Sequence, residues 1–153
     1  MKIGLLPLAA MLTAMPVQAQ MTTSIYVSSE KEDQDMRKCG ISYDALTAAV
    51  KGTLRYNRIP IATEQDYFGD RANNLYVNVT AFPIDETNCA AALAIKLENH
   101  TKVMDPVAGQ ERWADIVYCD KTQLLNWNRY KIEDELIGSA KQFTEQCLAD
   151  YYK

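Results

Sequence analysis

The sequence predicts an α+β domain, a two-layer arrangement in which two helices pack on one face of a mostly antiparallel sheet of about five strands. Three observations predict it. Residues 42–57 and 131–152 carry apolar side chains at helical spacing. Residues 75–82 and 89–98 alternate in the manner of half-buried strands, and Pro60, Pro83 and Gly109 punctuate the chain between such runs. A composition of 48% apolar and 24% charged residues over 153 positions is that of one ordinary globular domain, which excludes a disordered polymer or a repeat array.

The first element is expected to be absent from the mature protein. Lys2 is followed by an uncharged run from Ile3 to Val17, with small residues at Val17 and Ala19, the pattern of a secretory signal peptide cleaved before Gln20. Pro7 and Pro16 interrupt the run, which is shorter than the ~20 apolar residues of a membrane span. The expected organisation is a leader at 1–19 and one domain at 20–153, exported to the periplasm or secreted, with no membrane span after cleavage. Loss of the leader removes Lys2 alone, leaving 15 basic residues against 20 acidic and a net charge of -5. With Arg37-Lys38 as the sole basic cluster, no nucleic-acid partner is expected.

Within the mature chain, Ser24 to Ser29 is the first expected strand. Glu30 to Asp35 reads as a solvated acidic loop, since it lacks the glycine turn and distal glutamate of a calcium site. Ser42 is placed to cap a helix running to about Asn57, with Ile41 and Leu46 as a hydrophobic staple and Leu46, Ala49, Val50, Thr53 and Leu54 as its buried stripe. Pro60 ends that region, Ile59 to Thr63 is a second expected strand, and Glu64 to Asn74 an expected loop. A meander of Leu75 to Phe82, Cys89 to Glu98 and Glu111 to Cys119 follows, then a loop through the 120s. In the last helix Ile132, Leu136, Ala140, Phe143, Cys147 and Tyr151 form a core stripe, with Glu133, Asp134 and Glu135 at the positive end of its dipole.

The four cysteines, Cys39, Cys89, Cys119 and Cys147, are even in number and widely spaced, as in an exported protein with two disulfides. The absence of a Cys-x-x-Cys pair argues against a thiol oxidoreductase or a zinc knuckle, and no metal or other cofactor is expected. Three pairings are open. Following the strands up and down in the expected order favours Cys39 with Cys147 and Cys89 with Cys119. That register also turns Asp115 toward the face of Leu93 and Ile95, a conflict that a β-bulge would relieve.

The search for catalytic groups is mostly negative. His100 is the one histidine, expected at a strand-to-loop boundary, and no nucleophile stands at a recognised spacing from it. Acidic pairs such as Asp33 with Asp35 and Asp66 with Asp70 have no evident shared cleft. Asn78-Val79-Thr80 and Asn99-His100-Thr101 are glycosylation sequons, read as incidental. Trp113, Trp127, Tyr130, Tyr151 and Tyr152 gather toward the C-terminal part and are the candidate interface residues, because Tyr and Trp serve as anchors in protein interfaces. The expectation is a non-enzymatic exported binding or accessory module whose partner is a protein or cell-envelope component. The competing expectation is a small secreted hydrolase or toxin using His100 or paired carboxylates. In element order the chain resembles the small helix-on-sheet modules of bacterial envelope accessory proteins, such as the N-terminal domain of the translocation protein TolB and the penicillin-binding-protein activators. That resemblance rests on element order without a shared motif, and it implies no site residue.

Overall fold

The computed structural model describes residues 23–68 and 72–153; the expected leader and its cleavage site lie outside the described residues. The chain folds in the order β1 (Ser24–Ser29), α1 (Gln34–Lys38), α2 (Tyr43–Tyr56), α3 (Glu64–Phe68), β2 (Ala72–Pro83), β3 (Asn88–Asp105), β4 (Gln110–Asn128) and α4 (Ile132–Tyr151). The α+β class stands, and the described residues form one sheet of four strands in sequence order rather than five. β1 and β2 are parallel, and the β2–β3 and β3–β4 pairs are antiparallel, so the sheet is mixed.

The missing strand has a local cause. Pro60 has no N–H to give a ladder, and the segment around it makes a single bridge to β1. Ile25 N–H donates to the Pro60 carbonyl at 2.9 Å, and Ala62 N–H donates to the Ile25 carbonyl at 2.9 Å. The chain then enters α3, where Thr63 and Asp66 cap one another: the Thr63 hydroxyl and N–H reach Asp66 Oδ2 at 2.7 and 2.9 Å. An acidic loop was expected at 30–35, yet Asp33 caps α1 by accepting from Met36 N–H at 2.8 Å, and Met36 is buried. β1, α2 and α4 match their expected bounds closely.

Losing one strand reverses the direction of every later element, and this corrects the cysteine pairing. The disulfides are Cys39–Cys89 and Cys119–Cys147, not Cys39–Cys147 and Cys89–Cys119. With β2 parallel to β1, β3 starts at the end of the sheet where β1 leaves, which brings Cys89 to Cys39. β4 then runs back alongside β3, and α4 returns so that Cys147, near its C-terminal end, meets Cys119 midway along β4.

The pleat sorts side chains by face. Leu75, Val77 and Val79 of β2, and Leu93, Ile95 and Leu97 of β3, are buried beneath Leu46, Val50 and Leu54 of α2 and Leu136 and Ala140 of α4. α2 and α4 therefore share one face, as expected. Tyr26, Tyr76, Asn78, Lys96 and Glu98 point to the other, which we call the open face. Where β1 stops at Ser29, the Tyr43 hydroxyl takes over the edge of β2, accepting from Val79 N–H at 2.9 Å with the Val79 carbonyl and Asn78 Oδ1 each at 3.1 Å. Tyr43→Phe leaves that buried N–H without its acceptor. The expected cost is about 1–3 kcal/mol, read as a lower urea midpoint at unchanged slope.

The β2–β3 turn is held by Asp85. Its carboxylate accepts from the Asn88 side-chain amide at 2.9 Å, from the Thr87 and Asn88 N–H groups at 2.7 and 2.8 Å, and from the Thr87 hydroxyl at 3.0 Å. These donors, the Asn88 amide foremost, push its pKa down to about 2 from an ordinary 3.8. A carboxylate depressed in the folded state stabilises it above its ordinary value and loses that contribution as the pH falls toward the folded value. Hydrogen exchange at Thr87 and Asn88 is therefore expected to accelerate between pH 3.8 and 2 beyond its intrinsic pH dependence. In Asp85→Asn that extra acid dependence disappears.

Candidate functional site

β3 and β4 outrun the rest of the sheet. β2 pairs with β3 no further than Glu98, whereas β3 and β4 remain paired to Asp105 and Gln110. Residues 99–105 and 110–116 thus form a two-stranded arm projecting past β2. This corrects three expectations. The 120s are strand, not loop, and both late strands are much longer than expected. His100 is a mid-strand residue rather than one at a strand-to-loop boundary, because β3 continues through it.

A bulge at the base of the arm decides what faces where. Leu97 pairs with Cys119 but Glu98 with Val117, leaving Tyr118 as the extra residue on β4. In an unbroken strand Asp115 and Cys119, four apart, would share a face. The bulge keeps Cys119 buried against α4 while turning Asp115 and Trp113 onto the open face, beside His100 and Lys102 of β3. The register conflict legible in the sequence is relieved in this way, although Cys89 lies opposite Trp127 and not Cys119.

On that face the imidazole Nδ1 of His100 lies 2.7 Å from Asp115 Oδ1. A carboxylate only accepts, so Nδ1 carries the proton of this bond. The same imidazole stacks on the Trp113 indole, with centroids 5.0 Å apart and planes within 2°. Lys102 Nζ sits 5.5 Å over the indole and 3.8 Å from Glu111. Opposite this stack stands α3, which packs on the open face through Tyr67, whose ring stacks on Tyr26 at 5.6 Å. Tyr67 and Phe68 of α3 and His100 and Trp113 of the arm line a groove of about 380 Å³. Its rings are in reach of solvent, Phe68 being 75% exposed and Trp113 51%.

A polar ladder crosses the sheet at the same level. The Ser28 hydroxyl donates to Asn74 Oδ1 at 2.7 Å, the Asn74 amide donates to Glu98 Oε1 at 3.3 Å, and Lys96 Nζ lies 2.6 Å from Glu98 Oε2. Burial first, then the Glu98 and Asp115 carboxylates, hold the Tyr67 phenol above its ordinary pKa, so it remains a neutral hydroxyl at physiological pH.

The expected interface residues do not form one surface. Trp113 alone lines the groove. Tyr151 makes edge-on contacts with Tyr118 and Tyr152, at 4.8 and 4.9 Å, beside the Cys119–Cys147 disulfide. Trp127 and Tyr130 lie at the opposite end of the sheet, near the β2–β3 turn, where Arg129 covers the Tyr130 ring at 5.6 Å. Tyr67 and Phe68 fall where the sequence predicts a loop, and nothing in the sequence pairs His100 with Asp115. Thr63 followed by Asp66 was a readable capping signal for α3. Both sequon asparagines are engaged, Asn78 with Tyr43 and Asn99 with Asn73.

Among the described residues no cluster of His, Cys, Asp and Glu has a geometry for a metal ion, and no helix is long and apolar enough to cross a membrane. The two disulfides are compatible with an oxidising, extracytoplasmic location. No protein-family model matches the chain, and no curated protein matches it. Among solved structures it is similar to a minor lipoprotein from Acinetobacter baumannii, with 13% identity, a TM-score of 0.42, and coverage of 85% of this chain and 95% of that one. A likeness at that level carries neither family nor function.

Proposed function

We propose that this protein is an exported binding module, without turnover of its own, that engages a protein or cell-envelope component through the open face of its sheet at the base of the β3–β4 arm. The observation that carries the reading is the aromatic groove of Tyr67, Phe68, His100 and Trp113, a concave set of rings left uncovered on a small disulfide-bonded domain. All four cysteines are in disulfides, so no thiol nucleophile is available. The groove's side chains offer ring faces and hydrogen-bonding tips, which suit recognition.

The His100–Asp115 bond favours a second reading, a small hydrolase, since a carboxylate orients imidazole in that way at acid–base sites. The two readings separate on binding and turnover. In the first, a Phe68→Ala/Trp113→Ala variant with intact disulfides binds an envelope fraction of the producing cells at least about tenfold more weakly than the unmodified protein. Trp127→Ala binds as the unmodified protein does. Equal binding by the double variant removes the proposal. A hydrolytic activity abolished by His100→Ala replaces it with the second reading.

A further inference from the structure

Resting on that reading, we propose that the groove's ligand is the ring of a neutral saccharide. The walls come from two sides, Tyr67 and Phe68 on α3 and the parallel, stacked His100 and Trp113 rings on the arm. Among the described residues the lysines beside it are paired, Lys96 with Glu98 and Lys102 with Glu111, and His100 Nδ1 is bonded to Asp115. Lys102 also occupies the cation site over the Trp113 ring. Among the described residues an anion such as phosphate finds no unpaired lysine or arginine there, and an ammonium ligand finds Lys102 already over the Trp113 ring.

The polar tips around the slot are of both kinds. The Tyr67 hydroxyl and the Trp113 indole N–H bond no described residue, and the second imidazole nitrogen of His100 is left over from its bond to Asp115. A purely apolar guest, such as an aromatic or proline side chain, would strip water from these groups without replacing its bonds. A pyranose ring has C–H faces to lie on aromatic rings and a rim of hydroxyls that both donate and accept. It satisfies both parts of the groove at once.

The test uses the purified, disulfide-bonded protein labelled with nitrogen-15, following the Trp113 and Trp127 indole signals during titration. The probes are N-acetylglucosamine, chitotetraose, maltotetraose, decaproline and inorganic phosphate. The expected result is a saturable shift of the Trp113 signal, with Trp127 unmoved, on addition of a neutral sugar. Tighter binding of a tetramer than of the monosaccharide identifies a glycan chain as the source, and equal binding identifies a free sugar. Phe68→Ala is expected to weaken the interaction about tenfold or more, corresponding to about 1.4 kcal/mol. Saturation of the Trp113 signal by decaproline or phosphate in place of sugars overturns the proposal, as does the absence of a saturable shift with every sugar. If sugars fail while Phe68→Ala/Trp113→Ala still loses envelope binding, the ligand class is wrong and the binding surface stands. If that variant binds the envelope normally, the surface itself is wrong.

Discussion

Replacing Cys119 and Cys147 together by alanine is expected to destabilise the protein by about 3.6 kcal/mol, and replacing Cys39 and Cys89 by about 4 kcal/mol, if loop closure in the unfolded chain dominates. The difference follows from sequence separations of 28 and 50 residues. Either loss is a large share of the roughly 5–15 kcal/mol that holds a typical domain together. Urea denaturation gives the magnitudes, and the two variants are expected to differ in where they loosen. Cys119–Cys147 fastens the end of α4 to β4 at the base of the arm, so its removal is expected to speed hydrogen exchange around Val117 to Lys121. Cys39–Cys89 ties the start of α2 to the opposite end of the sheet and leaves the groove in place. Peptide mapping without reduction checks the pairing itself: a fragment joining Cys39 to Cys147 contradicts the fold described above.

Leu93→Ala is expected to cost about 2–5 kcal/mol, the range for deleting a buried leucine side chain. Leu93 is fully buried in the middle of β3, on the face covered by the helices, and is paired with Val79 and Gln123 of the neighbouring strands. Leu124 of β4 lies opposite Ala92 on the other face and is 81% exposed. The same substitution there is expected to change stability by no more than about 0.5 kcal/mol. The pair compares one residue type across two faces of one sheet and so tests the pleat assignment free of side-chain chemistry. Comparable losses at both positions would mean that the open face is covered.

How far the fold was legible followed from how strongly each element advertises its period. α2 and α4 were readable because their apolar stripes and first-turn signals agree. β2 and the first half of β3 were readable because Leu75 and Val77 alternate with polar or aromatic residues, and Leu93 and Ile95 with alanine and lysine, under full cover. The second half of β4 was not. Its inward positions, Lys121, Gln123 and Leu125, lie at the sheet edge under partial cover from α4, so burial does not demand apolar residues there. The arm was hidden for a related reason: neither of its faces is fully buried, so its half-buried positions, Asn99, Thr101, Val103 and Asp105, need not be apolar. Ile59 to Thr63 looked like a strand because Ile59, Ile61 and Ala62 are buried or half-buried, but Pro60 limits its pairing to one bridge. That one element set the direction of all that followed, and with it the choice of cysteine partners.

The site was less legible than the fold, since it depends on long-range geometry. Trp113 stands out in the sequence by residue type alone, and the sequence around His100 reads as a strand-to-loop boundary. What joins them is the bulge at Tyr118, which no local pattern announces, although the clash between a buried Cys119 and an inward Asp115 pointed to one. α3, which supplies the other wall, has only five residues, and its sequence sign was the Thr63–Asp66 capping pair.

Under the proposed function, a partner is engaged at the open face at the base of the arm. The most direct test of this engagement places the photocrosslinker p-benzoylphenylalanine at position 68, in the groove, or at position 55, on the exposed side of α2, in the protein produced in its own cells. A discrete adduct is expected from position 68, fading when unlabelled protein competes, and none from position 55. A competable adduct from position 55 with none from position 68 would contradict engagement at the open face.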